Sequence, residues 1–377
     1  MSYDELIPGL TSFMEDETVE DSDKDEEIAE AEEKAADAEA EKETAQEETE
    51  AVADEKDATM VFNMYDRLIA MESHIRQYGV DRTFLNLCNY DGALSNSLGI
   101  HLPSAESFDA IGNPSSAESI ACLEGIGEYW DKFKKFLEKL WQKFKNWADR
   151  MITNLSNFFN QDKVSTGRLA QLIAEAKAKG GKVGGKDAEV EIVDPKVLPV
   201  MDKLLNEASV TMGEMRKNMA DIDKQELSAS DNDLKKAEDS LRETMAKVRV
   251  ARGKVKNTTI AAGKVSLENC TNMLATVRNL TKIANNLTVG IKDIKSVGEK
   301  AVQNLLADLK ELKSSESNTK KIQKAKNFGK LLSLARTAGS QTLSYVYWFR
   351  NTIKDAITKR CRATLGKEMS LKKQPKD

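Results

Sequence analysis

The sequence predicts a mainly α-helical protein with a disordered acidic N-terminal segment and at most a small β-ribbon. Three observations favour this class. Apolar residues recur at helical spacing through most of the chain after residue 58, only 6 of 377 residues are proline, and only 6% are aromatic. We expect one long amphipathic helix packed with a bundle of helices or helical hairpins.

Charge divides the chain into an acidic and a basic part. Residues 1–60 carry a net charge of −20, residues 61–124 carry −5, and residues 125–377 carry +19, although the whole chain is only −6. Such an asymmetry suggests partners of opposite sign, or two parts with separate fates. Residues 15–57 hold almost no apolar side chains, so we expect this acidic segment to be disordered.

Residues 58–87 are predicted to be helical, and residues 89–119 are predicted to form a loop. The apolar residues of the helix recur at helical spacing: Met60, Met64, Leu68, Met71 and Ile75. The loop is rich in Asn, Ser, Gly and Pro. An exposed segment of this composition is accessible to proteases.

The strongest periodic element is an amphipathic helix at 126–159. Its apolar positions step by about 3.6 residues, and lysines occupy the opposite face. The stripe includes Trp130, Phe133, Leu137, Trp141, Phe144 and Trp147. Three interpretations remain open: the stripe packs in the core, lies on a membrane surface, or binds another protein of an assembly.

The rest of the chain reads as further helices separated by one short strand. We predict helices at 166–179, 197–220, 231–265, 266–313, 319–338 and 341–364, with Asp231 and Ser266 as N-caps. Glycines at 180–185 end the first of these, and the alternating residues 188–193 suggest a strand.

The sequence gives no sign of an enzyme, a cofactor or a metal site. It contains only two histidines, His74 and His101, and a structural role is expected for His74. Residues 180–186 fit the spacing of a phosphate-binding loop, but Asp187 stands where Ser or Thr would bind magnesium. No secretory signal or membrane-spanning stretch is recognised, so synthesis in the cytoplasm is expected.

A four-residue pattern recurs in the acidic part: a small residue, any residue, Glu and then Ser. The pattern occurs at 70–73, 104–107 and 116–119, and a looser form ends at Glu124, with Cys122 in the small position. Two copies lie in the predicted loop, where the charge changes sign. The same pattern also occurs at 314–317 in the basic part.

Residues 104–147 resemble the internal head proteins of large tailed bacteriophages. In that family an acidic propeptide precedes a Ser-Ala-Glu processing site and an aromatic, lysine-rich amphipathic helix. The resemblance implies that a prohead protease cleaves after Glu, and the matching positions are Glu106, Glu118, Glu124 and Glu72. It also implies an acidic propeptide, 1–118, and a basic helical mature body, 119–377.

The resemblance implies a structural virion protein kept inside the capsid with packaged DNA. Its expected partners are the prohead protease, other capsid or core proteins, and DNA bound by non-specific electrostatics. Cleavage after Glu118 would leave a body of net charge +18. The alternative function is a membrane-interacting or host-directed phage protein that uses helix 126–159.

Overall fold

A computed structural model describes residues 10–81, 84, 117–180, 183, 188–223, 231–310 and 317–366. Its helices are α1 (Leu10–Tyr78), α2 (Ala117–Ala178), α3 (Leu198–Asp223), α4 (Asp231–Asn257), α5 (Leu267–Lys310) and α6 (Ser317–Leu365). The predicted mainly α class is therefore confirmed. Ser266 caps α5 as predicted, because its Oγ accepts a hydrogen bond of 3.1 Å from the Asn269 N–H.

Helix α6 is the centre of the bundle. It contacts each of the helices α1 to α5, and every residue from 331 to 347 is buried. Small residues allow this dense packing. A Cβ at Gly339 would lie 2.7 Å from Cη2 of Trp147, and a Cβ at Gly298 would lie 2.6 Å from Cζ3 of Trp141.

The β-ribbon is small, as predicted. Strand β1 (Glu191–Val193) pairs antiparallel with β2 (Thr259–Ala261), with Ile192 opposite Ile260. The first strand falls within the predicted 188–193. The second falls within the predicted helix 231–265, so that prediction was wrong beyond Asn257, where β-branched residues enter the ribbon.

Two predicted helix breaks are absent from the structure. Predicted helices 126–159 and 166–179 are both part of α2, and predicted helices 319–338 and 341–364 are both part of α6. The first predicted break fell at 160–165, but Asp162 and Ser165 are buried within the continuous helix. The second predicted break fell between residues 338 and 341, but Gly339 lies within α6 and provides space for Trp147.

The N-terminal region differs most from the sequence prediction. Residues 15–57 were expected to be disordered, but the structure has them in α1 together with most of the predicted helix 58–87. Helix α1 ends at Tyr78 because Gly79 takes a φ of 77° and its N–H donates to the Ile75 carbonyl. Of the predicted loop 89–119, residues 89–116 lie outside the described residues. The prediction was wrong for residues 117–119, which form the start of α2.

Candidate functional site

Helix α1 lies along α6 and presents acidic side chains to it. The buried positions of its acidic half are Asp37, Thr44, Glu47, Ala51 and Ala58. They recur every three, four or seven residues, which places them on one face of the helix. A helix with few apolar residues therefore still has a buried face, made of small and acidic side chains.

The middle of this contact is a cluster of charges around Arg336. The Asp54 carboxylate accepts hydrogen bonds from Arg336 and from Lys143 of α2, the latter at 2.6 Å. Glu47 lies 3.6 Å from the Arg336 guanidinium. It also pairs with Arg150 of α2 at 2.6 Å. Two acidic residues of α1 thus pair with three cations from two helices.

A second cluster surrounds Arg350, which is fully buried. Its NH1 donates to Asp37 of α1 at 2.7 Å, and its Nε donates to Asp162 of α2 at 2.9 Å. The Asp37 carboxylate also accepts from Lys354 at 2.7 Å. The Arg350 guanidinium lies 4.6 Å from the Phe158 ring centroid. The buried cation is therefore paired with two carboxylates, which burial of a charge requires.

One further pair extends the contact, in which Lys326 donates to Asp66. We call the cations of α2 and α6 that pair with α1 the covered basic face: Lys143, Arg150, Lys326, Arg336, Arg350 and Lys354. From Lys326 to Lys354 this face extends about 42 Å along α6. Helix α6 itself has 11 basic residues and one acidic residue.

The pairing changes the acid–base properties of both partners. Partial burial by itself raises the pKa of Asp54, but hydrogen bonds from Lys143 and Arg336 outweigh it and lower that pKa. Burial by itself lowers the pKa of Arg350, but Asp37 and Asp162 outweigh it and raise that pKa. The charged form of each residue is therefore favoured in the folded chain.

The apolar half of α1 covers the start of the aromatic stripe. The Tyr65 ring lies 4.3 Å from Phe133 and 5.6 Å from Trp130, between centroids. The Phe62 ring lies against Gly329 of α6, where a side chain would collide with it. From Asp37 onward, α1 is thus held by charge pairs and, in its C-terminal part, by apolar contacts.

All six predicted stripe residues are buried, so in this chain the stripe packs in the core. Its second half packs on other helices. Trp141 contacts Phe328, and the Trp147 Nε1 donates to the Ser340 Oγ at 2.8 Å. Membrane or partner binding by this helix would require the stripe to leave these contacts.

The predicted cleavage residues lie in different surroundings. Glu124 is exposed in α2, and the backbone of Glu118 lies in the first turn of α2. Glu72 lies in the packed part of α1, where it accepts hydrogen bonds from Arg76 and from the Trp130 Nε1. Glu106 lies outside the described residues. Local opening costs least at a helix end. Glu118 is the second residue of α2, so we expect cleavage after it to need less opening than cleavage after Glu72, whose side chain is held by hydrogen bonds.

The sequence analysis missed the acidic residues that bind the basic face, namely Asp37, Glu47, Asp54 and Asp66. The spacing of small residues in the acidic segment could have indicated them. Ala40, Thr44, Ala51 and Ala58 continue the helical spacing of the apolar residues after residue 58 back into the acidic segment. Small residues at this spacing allow two helices to approach closely, even without large apolar side chains.

The described part of the chain gives little support for a catalytic histidine, a metal site or a membrane-spanning helix. His74 Nε2 lies 2.7 Å from Asp81 Oδ1, and no group of three or more metal-binding side chains was found there. His101 lies outside it. None of the helices searched in that part is long and apolar enough to cross a bilayer.

Fold and site together define a mainly α-helical bundle in which an acidic N-terminal helix covers the basic face that α2 and α6 form. Comparisons of the chain with protein-family models, curated proteins and solved structures found no match.

Proposed function

We propose that the protein is a structural internal head protein of a large tailed phage, made as an acidic precursor. Helix α1 belongs to a leader that covers the basic face, and a prohead protease separates this leader from the body. The body then stays in the capsid with DNA. The observation that carries the proposal is the direct pairing of leader carboxylates with body cations, as in Asp54 with Lys143 and Arg336.

The charge distribution supports this proposal, because a covered basic face cannot bind nucleic acid. A body of net charge +18 would bind host nucleic acid without sequence preference, because cations that neutralise phosphates release counterions. While α1 occupies the basic face, those cations are already paired and partly shielded from solvent. The precursor is therefore protected from premature binding, and the body is not once its leader has left.

Cleavage alone does not break the contacts between α1 and α6. It converts an intramolecular contact into one between two molecules, which removes the high effective concentration of the tether. The leader can then be lost by dilution or by competition. Packaged DNA presents a dense array of phosphates, so it competes with the leader carboxylates for the same cations.

Mass spectrometry of purified phage particles tests the proposal. We expect the mature N-terminus to follow Glu106, Glu118 or Glu124, and we expect peptides from residues 15–57 to be strongly depleted relative to peptides from the body. Recovery of both sets of peptides in equal amounts would show that the leader is retained, and the proposal would be wrong.

A further inference from the structure

Arg336 differs from the other buried arginine of the basic face in where its partners lie. Arg350 pairs with Asp162 of α2 as well as with Asp37, so it keeps a carboxylate when α1 leaves. The carboxylates paired with Arg336 in the described chain are Glu47, Glu50 and Asp54, all of α1. Departure of the leader therefore leaves Arg336 in need of another anion.

Two donors beside Asp54 are unused even while α1 is in place. Arg336 Nε and Ser333 Oγ are buried and have no hydrogen-bond partner among the described residues. Each residue is only 7% exposed. Unpaired buried donors of this kind are uncommon and costly. They border a small cavity lined by Asp54 and Lys143, among others.

A backbone phosphate can use this whole set of donors, whereas Asp54 uses only part of it in the uncleaved chain. The two oxygens of Asp54 accept from Lys143 and from Arg336, which leaves Arg336 Nε and Ser333 Oγ unpaired. The two non-bridging oxygens of a backbone phosphate can each accept more than one hydrogen bond, so they can take two parallel bonds from the guanidinium and further bonds from a lysine and a hydroxyl. The Asp54 side chain leaves with α1, which enlarges the space available.

We propose that Lys143, Ser333 and Arg336 bind one phosphate of a DNA backbone, and that Asp54 occupies this site in the uncleaved chain. The inference rests on the proposed function. Neighbouring cations favour DNA over a single lipid headgroup, because Arg150 and Lys326 continue the basic face on either side. A row of cations about 42 Å long matches roughly 12 base pairs of duplex.

The test uses the full chain with the recognition sequence of a specific protease inserted before Ala117. The chain is cleaved in place, and binding of a labelled 20-base-pair duplex is measured by fluorescence anisotropy at several salt concentrations. Release of a label on the N-terminus reports loss of the leader. We expect the cleaved protein to bind the duplex and to release the leader as it does so.

Two pairs of variants examine the site itself. Ser333→Ala removes a hydroxyl that has no partner in the uncleaved chain, so folding should be unaffected. Its control is Ser165→Ala on α2. This substitution also removes a buried hydroxyl without a partner among the described residues, but Ser165 does not line the cavity. Lys143→Gln is compared with Lys203→Gln, which lies on α3 with 79% of its side chain exposed.

We expect Ser333→Ala to weaken duplex binding by about 2- to 12-fold without changing its salt dependence. Lys143→Gln should reduce the slope of log K against log salt by about 1. Neither control should change affinity or slope. If each variant matches its control while the cleaved wild type still binds DNA, the phosphate site is wrong and the proposed function stands.

Two other outcomes would overturn the assignment of the site to DNA, and the first of them would also overturn the proposed function. If the cleaved wild type does not bind the duplex, both the phosphate site on DNA and the proposed function are wrong. If it binds phosphatidylglycerol vesicles instead of DNA, and Ser333→Ala weakens that binding, then the phosphate belongs to lipid and the assignment to DNA is overturned.

Discussion

Gly339 and Gly213 are both helical glycines, but their surroundings are opposite. A Cβ at Gly339 would lie 2.7 and 2.9 Å from two atoms of the buried Trp147 ring, whereas a Cβ at Gly213 would have nothing within 4 Å. Gly339→Ala should lower the free energy of unfolding by about 1–3 kcal/mol because the core is overpacked. Urea denaturation of the full chain measures this.

Gly213→Ala is the matched control for that substitution. It replaces glycine with a better helix former in open space, so it should raise the free energy of unfolding by roughly 0.5–1 kcal/mol. Equal effects of the two substitutions would show that the approach of Trp147 to α6 is looser than the structure has it.

At the scale of single residues, the sequence was informative where one helix carries the whole pattern. The six stripe residues from Trp130 to Trp147 follow from their own spacing, and all of them are buried. Asp37 and Asp54 could not be found in this way. Their partners Arg350 and Arg336 lie about 300 residues further along the chain, at separations of 313 and 282 residues.

At the scale of elements, α1 should depend on its charge pairs to remain on the body after cleavage. In the chain cleaved before Ala117, we expect the double variant Glu47→Gln, Asp54→Asn to weaken leader binding by at least about tenfold. The reason is that buried cations such as Arg336 lose their counter-charges. Size-exclusion chromatography at increasing salt measures how much leader stays bound.

The matched control is Glu39→Gln, Asp57→Asn, which removes the same two charge types from exposed positions of α1. This variant should retain the leader as the wild type does. If both double variants release the leader at the same salt concentration, then the overall charge of α1, and not its specific pairs, holds it in place.

The helical segments were predicted well, but several of their boundaries were not. Whether α2 continues through residues 160–165 depends on a partner for Asp162, and Arg350 of α6 and Thr281 of α5 supply it. The end of α4 depends on pairing between β2 and β1, which is also a contact between distant segments. Local periodicity contains no information on either contact.

At the scale of the whole molecule, retention of the cleaved leader should depend on pH in acid. Because the folded-state pKa of Asp54 lies below its ordinary value, its contribution is present above the unfolded pKa of about 3.9 and is lost as the pH falls through the lower folded value. We expect the leader to remain bound from pH 8 to 5 and to dissociate as the pH falls below about 4.

Chromatography of the cleaved chain at constant ionic strength measures this profile. Asp54→Asn provides the comparison, because it removes the titrating carboxyl while keeping the shape of the side chain. Its leader should be held more weakly at neutral pH and should show a shallower acid transition. Release of the wild-type leader between pH 8 and 5 would contradict the role given to the carboxylates.

The sequence by itself determined that the chain is mainly helical, that its aromatic stripe forms one face of a helix, and that acidic and basic parts are separate. These properties follow from composition and from spacing within one segment. Only the tertiary structure decided that the acidic segment, from Asp37 onward, pairs with the basic central helix. The physical reason is that α1 has too few apolar residues to fold for itself, and the cations that stabilise it, such as Arg336 and Arg350, lie on a helix about 300 residues away.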